Sequence, residues 1–447
     1  MPLVVFAGAH LGYDSQKVPI GGGATVGHAL IQCWAQTKPF ELLVLGTGPL
    51  PPHPKVDYHR LDAATDGLLT DFSVSRYARM SRDFERAVTD FLAGFAKKEN
   101  PEDVVVLHND IAEAGDFRAI AQMGYKQAAI FHVDVVDYTA RVYLRGWVSA
   151  ARLARTWRKL EGLRLAPLAP AVLKLIFRKQ EFCARFCDRL VVPSPGMAEV
   201  LRASYPWLRE GRVLVIPWGT VLGPEPPGVG EVLAGLRRRY DPGERPVLLT
   251  LSRISPEKGQ DLLLRALRLW DKHQTQELLL FICGQAAFMH GQSYLKKLRR
   301  LAKRLKRTEV IFPGHVGGAL KHAFFRIADL YVFPSRHESY GLTLMEAMAA
   351  GLPVLTTNHR SAWDLVRPEF GRIVEPSPKA LFFGLRELLC GRKELKTMGM
   401  AAQKFAQSRP FSLAADALAP HLLALISDKG APPVGGRFRG PRRSSRC

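Results

Sequence analysis

Leu330-Tyr331-Val332-Phe333-Pro334-Ser335-Arg336-His337-Glu338-Ser339-Tyr340-Gly341-Leu342-Thr343-Leu344-Met345-Glu346 is the stretch on which the reading of the fold turns. Its first four residues are apolar without alternation, which is the pattern of a strand buried on both faces. A short polar loop leads into a helical run through 351, and a second apolar segment begins at 353. Strand, loop, helix and strand in so short a span make the repeating unit of a parallel sheet.

The alternation continues in both directions. Apolar runs at 3–7, 42–45, 104–107, 128–131, 190–192, 213–216, 247–251, 278–282, 310–312 and 354–357 read as buried strands separated by amphipathic segments. The expected class is α/β, with two doubly wound parallel-sheet, Rossmann-like domains facing a cleft. Pro217-Trp218-Gly219 and the Gly/Pro-rich run 223–228 have linker composition. They divide the chain into domains at 1–217 and 218–411. A C-terminal helix at 412–427 is expected to pack back on the first domain, and the Gly/Pro/Arg/Ser-rich tail 428–447 to be disordered.

The chain has 447 residues, about three units at roughly 150 residues each. Hydrophobic residues at 47% and charged residues at 23% exclude a disordered chain or a fibre. Six cysteines occur without a Cys-x-x-Cys pair or zinc spacing, so reduced thiols, a cytoplasmic location and no metal centre are expected. Met1-Pro2-Leu3 runs straight into the first strand with no basic segment, so no signal peptide is expected. No apolar stretch reaches about 18 uninterrupted residues, so no membrane span is expected.

The net charge of +22 is regional. Residues 141–189 hold twelve Lys/Arg against three Asp/Glu, 296–307 hold eight against none, and 429–447 hold six against none. Such concentration points to an anionic partner surface.

The run 247–251 leads into Ser252-Arg253-Ile254-Ser255-Pro256-Glu257-Lys258-Gly259. Two cations five apart at the carboxyl end of a parallel strand can both face the ligand crevice, and a diphosphate suits an Arg fork beside a Lys point charge. Solvated loop cations are the plain alternative. In the opening stretch, Glu338 precedes the helix and Glu346 follows two turns later, so both can border one ligand. The backbone N–H groups of Tyr340, Gly341 and Leu342 open the helix, an anion site, and Ser339 beside them is a further donor-binding candidate. The alternative there is a helix cap plus a surface carboxylate.

Together with Phe312-Pro313-Gly314-His315-Val316 and Val215-Ile216-Pro217-Trp218-Gly219, these segments resemble the GT4-type retaining glycosyltransferases of the GT-B fold. The resemblance is dense from about 213 to 375. It implies that the first domain is the acceptor side and the second binds a nucleotide-sugar. It further implies that Arg253 and Lys258 bind the donor diphosphate, Glu338 touches the sugar, Glu346 holds the ribose hydroxyls, and Gly314, His315 and Val316 lie beside the base. The chain departs from the family at Gly284-Gln285-Ala286, where many members have Gly-x-Gly, which puts that loop's nucleotide contact in question.

The first half adds two features. Gly21-Gly22-Gly23 precedes a helical run, so Gly22 and Gly23 can bring backbone N–H groups to a phosphate; a triple glycine equally suits a flexible loop. His132 ends an apolar strand, as does the active-site histidine of the family, with His108 as its competitor. No Asp-x-Asp stands near a strand end, so electrostatic stabilisation by Arg253, Lys258 and a helix start is expected in place of a metal or other cofactor. Retention of configuration is implied by the resemblance alone.

The stretch 143–186 mixes Trp147, Trp157, Leu163, Leu168 and Phe177 with its cations, a composition suited to an anionic bilayer. A core helix pair with a basic outer side is the alternative. In 296–307, Leu298, Leu301, Ala302 and Leu305 form a core stripe whose other positions are Lys or Arg. The expected activity is sugar transfer from a nucleotide-diphosphate sugar to a glycan or lipid-linked acceptor in cell-envelope or glycoconjugate synthesis. Attachment would be to the inner membrane face. A soluble sucrose- or glycogen-synthase-like transferase is the alternative, and a nucleic-acid-binding protein fits poorly because no recognition module accompanies the cations.

Overall fold

The computed structural model describes residues 1–13, 21–63, 74–144, 146–286 and 291–427. The tail 428–447, expected to be disordered, lies outside the described residues. Seven strands form a first sheet: β1 (Leu3–Ala7), β2 (Glu41–Gly46), β3 (Asp57–Arg60), β4 (Val104–His108), β5 (Lys126–Ile130), β6 (Arg189–Val192) and β7 (Val213–Val215). Six form a second: β8 (Val247–Leu251), β9 (Leu278–Cys283), β10 (Thr308–Gly314), β11 (Leu330–Phe333), β12 (Val354–Thr357) and β13 (Gly371–Val374).

The spatial orders are β3-β2-β1-β4-β5-β6-β7 and β10-β9-β8-β11-β12-β13, with parallel pairing in both. The strand order reverses between β1 and β4 in one sheet and between β8 and β11 in the other. At such a reversal the loops leave to opposite sides and open a crevice at the carboxyl ends. Continuous burial of β4, β9 and β11 explains their unbroken apolar sequence. The two strands without an apolar signature, Asp57-Tyr58-His59-Arg60 and Gly371-Arg372-Ile373-Val374, are both outermost. An edge strand has one ladder and less to bury, so its composition is freer.

The linker is pinned. Trp218 is buried, the Gly219 N–H donates to the Tyr340 hydroxyl at 2.7 Å, and Thr220 pairs with Pro410. Gly219 has φ +69°, and a Cβ there would lie 2.3 Å from the Arg409 carbonyl oxygen, so only glycine fits. The helix Ser412–Ser427 lies against the first half: the Trp34 indole N–H donates to the Ala415 carbonyl at 3.2 Å. Its Leu418 and Leu422 share one core with Leu30 and Trp34.

Two expectations about the basic segments change. The helix Gly291–Ala302 keeps the stripe, with Leu298 buried and Leu301, Ala302 and Leu305 packed on the second core, but ends before 303. The backbone N–H groups of Lys306 and Arg307 instead donate to the Asp271 carboxylate at 2.7 and 3.1 Å, which turns the chain into β10. Between β5 and β6, the two tryptophans separate. Trp147 is 85% exposed, whereas Trp157 is 4% exposed and stacked on Phe177 with ring centroids 5.3 Å apart. Ala150, Ala154 and Trp157 make the i, i+4, i+7 stripe of the helix Ala150–Gly162, and that stripe faces the core.

The cations of this region are also divided. Arg141 pairs with Asp137, Lys179 with Glu85 and Arg185 with Glu181, while Arg158 donates to the Ser204 carbonyl. Arg152, Arg155, Lys159 and Arg164 face outward. Cys183, in the helix Lys179–Phe186, and Cys187, just past its end, are buried free thiols.

Candidate active site

A cavity of about 500 Å³ lies between the carboxyl ends of the two sheets. From the second sheet it is lined by Arg253 and Lys258, after β8, and by Glu338, Ser339, Tyr340, Gly341 and Leu342, after β11. Glu346 lines it from within the helix Leu342–Ala349. Gly341, at φ +100°, turns the chain into that helix. The N–H groups that open this helix carry the positive end of the helix dipole.

Two of the cavity carboxylates are paired with lysines. Lys258 Nζ donates to Glu338 Oε2 at 2.6 Å, and both side chains are largely buried. Burial alone would raise the Glu338 carboxyl, but the Lys258 ammonium overrides it and holds it below the ordinary carboxylate range. Lys321 Nζ donates to Glu346 Oε1 at 2.7 Å. His359 lies near Glu338 and bonds Thr356 Oγ1 at 3.0 Å; burial pushes its imidazole down to about 4.

The first sheet supplies the facing wall. Gly22 and Gly23 are the opening residues of the helix Gly22–Thr37, so their free N–H groups belong to a helix start and not to a loose loop. A Cβ on Gly23 would lie 2.7 Å from His132 Cδ2. The His132 ring lines the cavity, with Nε2 3.3 Å from Asn109 Oδ1 and Trp218 beside it. Burial lowers its imidazole to about 4, which leaves it neutral at pH 7. Its competitor His108 is fully buried in the first sheet, bonded to Gln127 Oε1 at 3.2 Å and away from the cavity.

His315 and Val316 line the cavity; Gly314 does not. Gly314 instead accepts the Gly284 N–H at 2.7 Å, which joins the loop after β9 to the end of β10. Gln285 reaches the cavity wall from that same loop. Lys321, His337 and Tyr138 are among the cavity residues that the sequence did not mark. Lys321 was within reach, since it is the first cation after Gly314-His315-Val316. Tyr138 and His337 had no pattern to mark them. Among the described residues, no group of three or more His, Cys, Asp or Glu could hold a metal ion.

Residues 237–405 match the family model of glycosyl transferases group 1. That segment is a glycosyl transferases group 1 domain. A GDP-mannose-dependent alpha-(1-6)-phosphatidylinositol monomannoside mannosyltransferase of Mycolicibacterium smegmatis is 31% identical over 199 residues, 40% of this chain and 50% of that protein. Mannosylfructose-phosphate synthase of Agrobacterium fabrum is 30% identical over 177 residues, 39% of this chain and 38% of that protein. The chain thus spans about half or less of the length of these curated relatives.

The solved structures extend the likeness to both halves. Sucrose-phosphate synthase of Thermosynechococcus elongatus has a TM-score of 0.68 at 19% identity, covering 96% of this chain and 100% of that one. Anabaena Alr3699/HepE, solved with UDP-glucose, has a TM-score of 0.64 at 16% identity, covering 94% and 99%. At these identities the likeness establishes the two-domain GT-B fold. The glycosyltransferase domain holds every cavity residue contributed by the second sheet.

Proposed function

We propose that the protein is a retaining glycosyltransferase that moves a sugar from a nucleotide-diphosphate sugar to a glycan or lipid-linked acceptor in cell-envelope or glycoconjugate synthesis. The observation that carries the reading is the meeting, around one cavity, of Arg253, Lys258, Glu338, Glu346 and a helix start with His132, Gly22 and Gly23. Arg253, Lys258 and the first N–H groups of the helix Leu342–Ala349 stabilise the charge that develops on the departing diphosphate. Glu338, kept ionised by Lys258, stands where oxocarbenium character grows on the sugar. Glu346 and Lys321 are placed for the ribose, His315 and Val316 for the base, and neutral His132 for a hydroxyl of the transferred sugar. These cations take the part of a metal, so turnover is expected to survive EDTA.

The test is a panel of UDP-, GDP-, ADP- and dTDP-sugars read by thermal shift and by donor consumption. A ligand at about 100 times its Kd adds roughly 2.7 kcal/mol of stability. One donor class should stabilise and be consumed; no shift and no consumption with any of them overturns the reading. A soluble synthase acting on a sugar phosphate is a second reading, favoured by the mannosylfructose-phosphate synthase relative. An acceptor panel containing hexose phosphates and lipid-linked glycans separates the two.

The location in this reading is cytoplasmic and peripheral, on an anionic membrane surface, without nucleic acid as a partner. Among the described residues no helix is long and apolar enough to cross a membrane. Trp147 and Leu168, 85% and 82% exposed, with Arg152, Arg155, Lys159 and Arg164, support surface attachment. Because Trp157 is core, the informative variant replaces Trp147, Leu168, Arg152 and Arg155 with Ser or Gln. It should keep donor binding and lose salt-sensitive pelleting with anionic liposomes. Failure of the wild type to pellet removes the membrane from the reading.

A further inference from the structure

Asp137 belongs to the first half, five residues after His132, yet its principal partners belong to the second. Arg360 Nε and Nη2 donate to Asp137 Oδ2 and Oδ1 at 3.0 and 2.9 Å, a two-pronged clasp. His337 Nε2 approaches Oδ2 at 3.4 Å, and Arg141 flanks the carboxylate from its own segment at 3.3 Å. The Asp137 side chain is almost fully buried by these contacts.

Both ends of the clasp are fastened to the cavity walls. On one side, Asp134 Oδ1 accepts the N–H groups of Val136 and Asp137 and the Gln180 amide at 2.9 Å, which holds the turn that follows His132. On the other, His337 is the residue before Glu338. Arg360 neighbours Ser361, whose hydroxyl donates to the Tyr340 carbonyl at 2.7 Å. Tyr138 packs edge-on against His337, with centroids 5.4 Å apart. Two short routes therefore run from Asp137 to the loop that carries Glu338, and one to His132.

We infer that Asp137 is a positioning residue: by clasping Arg360 and His337 across the cleft, it sets the spacing between the His132 wall and the Glu338 loop for sugar transfer. The inference rests on the reading of the cavity as a sugar-transfer site. A two-pronged ion pair is geometrically exacting, and a misplacement of about 1 Å at a reacting centre lowers turnover on the order of a hundredfold. Nucleotide binding draws chiefly on Arg253, Lys258 and Glu346 of the second sheet, so it should depend on the clasp far less than kcat does.

The experiment compares wild type with Asp137→Ala, Arg360→Ala, their double variant, and Asp137→Glu. Each Ala variant should lower kcat roughly 10- to 100-fold while the Kd for the nucleotide stays within about twofold. The double variant should be no worse than either single, because the two act as one unit. Asp137→Glu should recover part of kcat. Solution X-ray scattering supplies the arm independent of turnover: the radius of gyration should rise in both Ala variants and return toward wild type in Asp137→Glu. An unchanged radius, a kcat within twofold of wild type, or a nucleotide Kd that weakens in step with kcat overturns the clasp. If the wild type consumes no nucleotide-sugar but the radius still rises, the clasp stands and the sugar-transfer reading falls. Should Asp137→Ala fail to fold, Arg360→Ala, on the more exposed side, carries the same tests.

Discussion

The second sheet delivers its cavity residues mainly in two contiguous loops, after β8 and β11, whereas the first contributes them from separated places: Gly22 and Gly23 at a helix start, and His132 beyond β5. The electrostatics differ in the same way. In the second half two cavity carboxylates pair with lysines, Glu338 with Lys258 and Glu346 with Lys321. In the first half, burial keeps both His132 and His108 neutral, each pushed down to about 4. A wall built for charge is encoded locally, because cations must be spaced along one loop to meet one diphosphate. A wall built from a single imidazole depends on whatever packs behind it.

That dependence gives the largest expected effect. The core behind His132 contains Phe131, Val136 and Trp157. Trp157→Ala should lower unfolding free energy by about 3–5 kcal/mol, whereas Trp147→Ala should stay within about 0.5 kcal/mol. Urea unfolding measures both, and equal effects would erase the distinction between the two tryptophans.

Next comes the charged wall. Glu338→Gln should raise the transfer barrier by about 3 kcal/mol, roughly a hundredfold in turnover. Lys258→Ala should lose as much activity and also destabilise the fold, since it leaves a largely buried carboxylate unpaired. Adding Glu338→Gln to it should restore the melting temperature but not turnover.

The pH dependence tests the neutral side. The unfolded His108 takes up a proton near pH 6.5, but the folded one resists until about 4. Its contribution is therefore complete above pH 6.5 and is lost as pH falls toward 4, on the order of 3 kcal/mol. In His108→Gln, stability measured between those pH values should fall less steeply than in wild type. The smallest effect is expected for Gly23→Ala. Its methyl must displace the His132 ring, so turnover, read by donor consumption, should drop about tenfold, or about 1.4 kcal/mol.

Eleven of the strands were legible because each is a short apolar run, and the resemblance rested on residues that crowd into 213–375. Arg253 with Lys258, and Glu338 with Glu346, were legible for the same reason: within each pair the two residues lie a few positions apart. Tyr138, His337 and Lys321 were not, since a single Tyr, His or Lys outside a motif has no periodicity. Trp147 and Trp157 could not be told apart by composition, because a cation-rich segment with aromatics is compatible with either orientation until a core is there to receive one of them.

Residue order by itself determined the parallel α/β class, the division into two halves and the charged loops, because these follow from local periodicity and from loop residues a few positions apart. Tertiary structure alone decided that His132 and not His108 reaches the cavity, that Trp157 is packed and Trp147 exposed, and that Asp137 clasps Arg360, 223 positions away. Such choices depend on which elements the sheet order brings face to face, and no short window of sequence contains both partners.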